Sequence, residues 1–186
     1  MSYTRRALLL GGIASAVSVA LTDFAGALSP DISHGPRSRN KVALTFHGAG
    51  DPMIAANLLN ILSTSGTHVT VFAVGTFLKS NPEFAKKILD GGHDLGNHTM
   101  THTQMKTISA KRVDSEISEC AALLEKLTGN HGAFFRPSGT QFSTPLIRKT
   151  AQKYGYKNCI SYDVDSRDYQ DPGKAAVISN INKGIK

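Results

Sequence analysis

Short strand-like runs alternate with helical patterns along this chain from about residue 40. The run at 68–74 is rich in valine and other apolar residues, as in a buried strand, and stops at a glycine. The segment 109–127 places apolar residues on one helical face and is followed by Gly129, a residue typical of helix ends. Because strand–helix–strand order builds parallel sheets, the sequence predicts an α/β fold with a parallel sheet or barrel. Further strands are predicted at 41–46, 93–95, 133–136 and 157–162, and further helices at 53–65, 82–90, 143–155 and from 172.

The N-terminal 27 residues have the layout of a secretory signal peptide. Two adjacent arginines, Arg5 and Arg6, precede an apolar segment that runs to Leu21, and small residues at 25–27 offer a cleavage site. The paired arginines predict export by the twin-arginine route. A membrane anchor is the rival interpretation, but the apolar segment is short and rich in Gly, Ala and Ser. We therefore expect a secreted or cell-wall-associated bacterial protein without stable membrane insertion, with a linker at 28–39 and one domain at 40–186.

Composition narrows the possible partners. The chain is basic, with a formal net charge of +7 and an isoelectric point near 9.5. Its lysines and arginines are scattered, without the interleaved aromatic residues of a nucleic-acid-binding surface, so we expect no nucleic-acid partner. The charge fits solubility or affinity for an acidic cell wall. Two cysteines, Cys120 and Cys159, are compatible with either a disulfide or two buried thiols.

Polar residues able to do chemistry follow the predicted strands at their carboxyl ends. Parallel α/β folds place their sites at this edge, so the sequence predicts that these side chains converge on one site. They are His47 and Asp51 after the first strand, His98 and His102 after the third, Arg136, Ser138 and Gln141 after the fourth, and Asp163, Asp165 and Asp168 after the fifth.

The pair His98 and His102 is the strongest candidate for a metal site. Side chains four residues apart share one face of a helical turn, which lets both imidazoles reach one ion. Two histidines completed by a carboxylate or water form a site that zinc commonly occupies. Zinc with open positions polarises a carbonyl and activates water, so the pair predicts hydrolysis of an amide or an ester.

Four segments resemble, in order, the motifs of NodB-type polysaccharide deacetylases, the family-four carbohydrate esterases: VALTF at 42–46, GHDLGNHTMTH at 92–102, Arg136-Pro137, and DSRDY at 165–169. The resemblance implies a distorted (β/α) barrel, a divalent metal that is usually zinc, and removal of acetyl groups from a carbohydrate polymer or oligomer. The family's last motif, Leu-x-His, supplies an acid and has no match after Asp171. We therefore expect a barrel that lacks its last one or two β/α units, and a chain that is weakly active or inactive by itself.

The resemblance also implies roles for individual residues. His98 and His102 match the two metal-binding histidines, and Arg136 matches the arginine that orients the catalytic aspartate. Asp168, followed by Tyr169, matches an aspartate that helps to set the charge of a catalytic histidine.

Motif one departs from the family pattern Thr-Phe-Asp-Asp-Gly, in which the first aspartate is the base and the second binds the metal. This chain has His47 at the base position and Gly48 at the ligand position, and Asp51 is the nearest carboxylate. We predict that Asp51 is the third metal ligand and that His47 is the base. The alternatives are that Asp51 caps the following helix and that His47 is itself a ligand.

The predicted function is metal-dependent removal of acetyl groups from a polysaccharide or oligosaccharide, by N-deacetylation of amino sugars or by O-deacetylation. The catalytic residues would be His47, Arg136 and Asp168, with Arg136 and Asp168 forming an ion pair that orients the site. A non-catalytic relative that binds metal and carbohydrate is the alternative, favoured by the altered motif one. An exported metal scavenger is a weaker alternative, since it has no use for Arg136 or for the aspartates at 165–168.

Overall fold

The structure is a computed structural model that describes residues 30–185 of the 186-residue chain. The predicted signal peptide at 1–27 lies outside the described residues. No helix within residues 30–185 combines the length and the apolar character needed to cross a membrane.

Three parallel strands form the regular sheet: β1 (Thr45–Gly48), β2 (Thr70–Ala73) and β3 (Asp94–Asn97), in the spatial order β1-β2-β3. Beyond β3 the sheet continues through single parallel bridges, from Asn97 to Phe135, from Phe135 to Cys159 and from Ile160 to Ile32. The predicted α/β class is confirmed. Within residues 30–185 the outer edge of β1 has no strand neighbour, so the sheet is open on that side.

Helices follow the strands along the chain, and two of them begin or end at residues of the types that commonly cap helices. Ser109 and Thr144 accept hydrogen bonds from backbone N–H groups at the starts of two helices, and Gly129, at φ 83°, ends the longest one. A short 3-10 turn spans Asp168–Gln170. The α-helices of the described residues are α1 (Pro52–Ser65), α2 (Gly75–Ser80), α3 (Glu83–Asp90), α4 (Ala110–Thr128), α5 (Pro145–Lys153) and α6 (Lys174–Gly184).

Three details differ from the prediction. The first strand, predicted at 41–46, is observed as β1 at Thr45–Gly48, because β2 starts at Thr70 opposite Thr45 and leaves the earlier residues without a partner. The strands predicted at 133–136 and 157–162 are reduced to bridges at Phe135 and Cys159. Helix α2 was not predicted, since it has only six residues and begins at a glycine.

The hydrophobic core consists of two clusters, and α4 contributes residues to both. One part packs α1, α2 and α3 against β2, with Ala73 and Leu78 fully buried in it. The other part packs α4 and α5 around Phe135 and Tyr156. Cys120 lies in the first part and Cys159 in the second, and both are buried free thiols. The core therefore fixes the sheet, whose carboxyl ends carry the candidate site.

The segment predicted as a linker at 28–39 is bonded to the domain over part of its length. The backbone N–H of Ile32 donates to Cys159 O at 2.9 Å, and Ser161 N–H donates back to Ile32 O at 2.7 Å. The Asp31 carboxylate, of which 1% is exposed, accepts hydrogen bonds from Ser143 N–H and from the Arg148 guanidinium. Residues 31 and 32 thus belong to the folded domain, which corrects the predicted boundary.

Candidate metal centre

Three imidazoles meet at the carboxyl ends of β1 and β3. His47 lies in β1, His98 directly follows β3, and His102 comes four residues later. Ligand nitrogens of the three, here called the imidazole trio, lie within 4.8 Å of one another. The His47 and His98 rings stack at 4.1 Å between centroids, and His102 meets His98 edge-on at 4.9 Å. No other three histidine, cysteine or acidic side chains of residues 30–185 bring their ligand atoms as close together.

A loop, and not the predicted helical turn, brings His98 and His102 together. Thr99 has a φ of 69° and His102 a φ of 57°, a left-handed conformation that non-glycine residues adopt rarely. The turn is fixed by side chains, since Thr99 N–H donates to Asn97 Oδ1 at 2.8 Å and Thr99 Oγ1 donates to Ser138 Oγ at 2.9 Å. The four-residue spacing predicted that the imidazoles of His98 and His102 lie close together. They do, but the conformation of this loop brings them together, and not a helical turn.

His98 presents a free lone pair to the trio. Its Nδ1 lies 2.9 Å from the main-chain carbonyl oxygen of Arg136, and because a carbonyl only accepts, Nδ1 carries the proton. Burial, reinforced by the neighbouring His47, holds the pKa of His98 well below its usual value, so the ring is neutral. Its Nε2 is buried and has no hydrogen-bond partner. A buried acceptor left without a partner is unfavourable, and a metal ion would satisfy it.

His47 and His102 are the exposed members of the trio, so solvent reaches the site. Although His47 keeps exposed surface, the atoms packed around its ring exclude enough water to lower its pKa to about 4. The charges of Arg136 and His102 lower this pKa further, while those of Asp168 and Asp165 raise it. At neutral pH the His47 ring is therefore neutral, as a metal ligand must be.

Arg136 holds a buried positive charge beside the trio. Its guanidinium donates to Thr45 Oγ1, to Ile160 O at 3.2 Å and to Ser161 O, and it stacks on the Phe72 ring at 4.1 Å. Its Nη1 also lies 3.5 Å from His47 Nε2. Burial lowers the pKa of Arg136 to about 10, which still leaves the group charged at neutral pH.

Two predicted site residues lie elsewhere. Asp51 caps α1, where its Oδ1 accepts a hydrogen bond from Met53 N–H at 2.8 Å, and it is not part of the trio. The geometry thus favours the alternative in which His47 is the third ligand. Asp168 lies exposed at the 3-10 turn and accepts from the Ser166 hydroxyl, so the predicted ion pair with Arg136 is not formed. The reason is that carbonyl and hydroxyl oxygens already engage the Arg136 guanidinium.

Residues 34–159 match the family model for polysaccharide deacetylase. The chain belongs to the polysaccharide deacetylase family. The matched segment contains the whole imidazole trio and Arg136 and ends before Asp168. The family resemblance read from the motifs is confirmed.

Relatives in the deacetylase family include enzymes and a pseudoenzyme. The chain is 29% identical over 152 residues to a peptidoglycan-N-acetylglucosamine deacetylase of Bacillus cereus, covering 81% of this chain and 70% of that protein. It is similar in fold to a CE4 family pseudoenzyme from Bacillus anthracis, with a TM-score of 0.78 at 28% identity, covering 85% of this chain and 56% of that one. A mutant CE4 family pseudoenzyme with restored enzymatic activity gives a TM-score of 0.78 at 29% identity, covering 85% and 58%. The chain spans little more than half the length of these solved relatives.

Sequence reasoning missed two buried polar residues that support the site of this deacetylase-family chain. Asn97 is fully buried, bonds to Thr99 and donates to Ile117 O at 3.0 Å. Glu116 is also fully buried and bonds to Thr101. The available signal was the position of Glu116 on α4, three residues after Val113 and therefore on its apolar face.

Proposed function

We propose that this chain is a metal-dependent deacetylase of acetylated carbohydrate, with His47, His98 and His102 holding a divalent zinc ion. The observation that carries the proposal is the buried, unpartnered Nε2 of His98, with ligand nitrogens of His47 and His102 within 4.8 Å of a His98 ring nitrogen. Neutral imidazole nitrogens suit zinc, and three protein ligands leave a position open. Zinc bound there would polarise an acetyl carbonyl and lower the pKa of a bound water.

Arg136 orients one imidazole of the trio and places a positive charge beside another. The Arg136 carbonyl fixes the His98 ring with Nε2 free, and the Arg136 guanidinium holds a permanent positive charge beside His47. In this proposal His47 binds the metal and is not the base. Asp168 is a charge-setting residue, since its carboxylate opposes the effect of Arg136 on the pKa of His47.

The substrate class follows from the family relatives. A relative that acts on peptidoglycan N-acetylglucosamine makes the N-acetyl group of a cell-wall glycan the first substrate to test.

The same proposal places the protein outside the cytoplasm, secreted or associated with the cell wall after twin-arginine export. Replacing both Arg5 and Arg6 by lysine should abolish export, which immunoblotting of cell and culture fractions would show.

The decisive assay measures acetate released from N-acetylglucosamine oligomers and from acetylated xylan, with zinc added and with zinc chelated. Because the acid motif of the family has no match in this chain, we expect weak zinc-dependent release by the wild-type chain and none by the His98→Ala variant. Asp90→Asn is the matched control, because it alters an exposed carboxylate at the end of α3, outside the candidate site. Zinc-independent release, or equal release by His98→Ala, would contradict the proposal.

A second candidate function is a non-catalytic protein that binds metal and carbohydrate. It is favoured by the altered motif one, where His47 and Gly48 replace two aspartates, and by the similarity to a pseudoenzyme. Binding of zinc and oligosaccharide without acetate release would support it. Acetate release gained on His47→Asp would support it further, because the new carboxylate would lie beside Arg136. A side chain at Gly48 is a poorer test, since its Cβ would come within 3.0 Å of Val71 Cγ1.

A further inference from the structure

A single buried carboxylate supports the loop between His98 and His102. Glu116 lies in α4, and none of its surface is exposed. Its Oε2 accepts a hydrogen bond from Thr101 N–H at 2.7 Å, and its Oε1 accepts from the Thr101 hydroxyl. Its main-chain carbonyl also accepts from Met100 N–H at 2.9 Å. Glu116 therefore bonds to two consecutive residues of the loop.

The loop needs such support because its backbone is strained. Thr99 and His102 are both left-handed, and neither is a glycine. Thr101 immediately precedes His102, so the bonds to its N–H and hydroxyl groups fix the direction in which the chain enters His102. The opposite side of the loop is held by Gly75 N–H and Thr76 N–H, which donate to Thr99 O and Met100 O.

Burial of a charge on α4 would be costly without these bonds. The other buried residues of the helix are apolar or small, and Glu116 is the one carboxylate among them. Its compensation comes from Thr101 and from Arg112, one turn earlier, whose Nη2 pairs with Oε1 and also donates to Thr101 Oγ1 at 3.1 Å. The charge is thus directed at the loop, which gives Glu116 a role besides packing.

We propose that Glu116 is a positioning residue for the metal centre: acting through Thr101, it holds His102 where its imidazole meets those of His47 and His98. The inference rests on the proposed metal-binding role of the trio. It assigns no contact between Glu116 and metal or substrate.

The test compares Glu116→Gln with wild type. Glutamine keeps the shape but removes the charge and turns an amide N–H₂ group toward donors. We expect zinc affinity, measured by competition with a chromogenic chelator, to fall by about 10–100-fold. The visible absorption spectrum of the Co²⁺-substituted protein should change as well, since it reports the ligand geometry. Glu119→Gln, which removes an exposed carboxylate of the same helix, should leave both readouts unchanged.

A second variant covers the case in which Glu116→Gln does not fold. Thr101→Val removes the hydroxyl that donates to Glu116 and accepts from Arg112, but it keeps the bond from Thr101 N–H to Glu116. It should weaken zinc binding less than Glu116→Gln in a protein that still folds. Wild-type zinc affinity and a wild-type Co²⁺ spectrum in folded Thr101→Val, and in Glu116→Gln where it folds, would overturn the inference. Acetate release by the wild type is a separate readout: its absence counts against deacetylation alone, and the affinity ratio still decides the role of Glu116.

Discussion

Replacing Asp31 by alanine should destabilise the domain, because this residue bonds the N-terminal segment to α5. The Asp31 carboxylate accepts from Ser143 N–H, and its Oδ1 lies 3.2 Å from Arg148 Nη1. It is 1% exposed, whereas Arg148 is 21% exposed. The substitution removes both bonds at once and leaves both donors without the carboxylate.

The magnitude follows from these two losses. A buried N–H left without an acceptor costs about 1–3 kcal/mol. Removing one partner of a fully buried ion pair costs about 3–5 kcal/mol, and the lower end applies because water reaches Arg148. Arg148 also keeps its hydrogen bond to Ser143 O at 2.8 Å. Since the two losses overlap, we expect the free energy of unfolding to fall by about 3 kcal/mol.

Urea denaturation followed by circular dichroism measures this change. The matched control is Asp163→Asn, which breaks the ion pair between Arg37 of the same segment and Asp163, with side chains 43% and 34% exposed. That pair should contribute about 0–1 kcal/mol. Equal midpoints for Asp31→Ala and Asp163→Asn would refute the reasoning and restore residues 28–39 as a linker.

Three further outcomes are expected. Zinc at 100 times its dissociation constant should raise the free energy of unfolding of the wild type by about 2.7 kcal/mol, and calorimetry should show no such rise for His98→Ala. In the metal-free protein, the folded-state pKa of His47 near 4 lies below the usual 6.5, so the unfolded chain binds the proton more readily. Stability should therefore fall as pH drops from 6.5 toward 4, and urea titrations across that range should show a shallower fall for His47→Asn. Arg136→Lys should lower the thermal midpoint, because one ammonium cannot reach the acceptors that the guanidinium fork engages; an unchanged midpoint would contradict this.

Local signals carried much of the prediction. The limits of α4 follow from the Ser109 cap and from Gly129, since both act through hydrogen bonds or dihedral angles within one turn. The position of His98 after a strand follows from the βα pattern in the same way. Asp51 shows the limit of motif reasoning: its bond to Met53 N–H is a contact two residues away, which forms without any metal.

Long-range contacts could not be read from the sequence. Asp31 pairs with Arg148, 117 residues later, and nothing local distinguishes it from a solvated linker aspartate. Glu116 reaches Thr101 across 15 residues because α4 packs beside the loop. The ion pair expected between Arg136 and Asp168 failed for the same reason, since the acceptors that hold Arg136 come from β1 and from residues 160–161.

Arg136 contacts the imidazole trio through its main chain and through its side chain, and a substitution changes only the side chain. Its carbonyl oxygen, which orients His98, belongs to the backbone and persists whichever amino acid occupies the position. Its guanidinium, which charges the surroundings of His47, is lost with almost any substitution. Evolution at this position can therefore erase the charge while the His98 orientation survives. The two contributions of Arg136 to the imidazole trio are therefore separable by mutation.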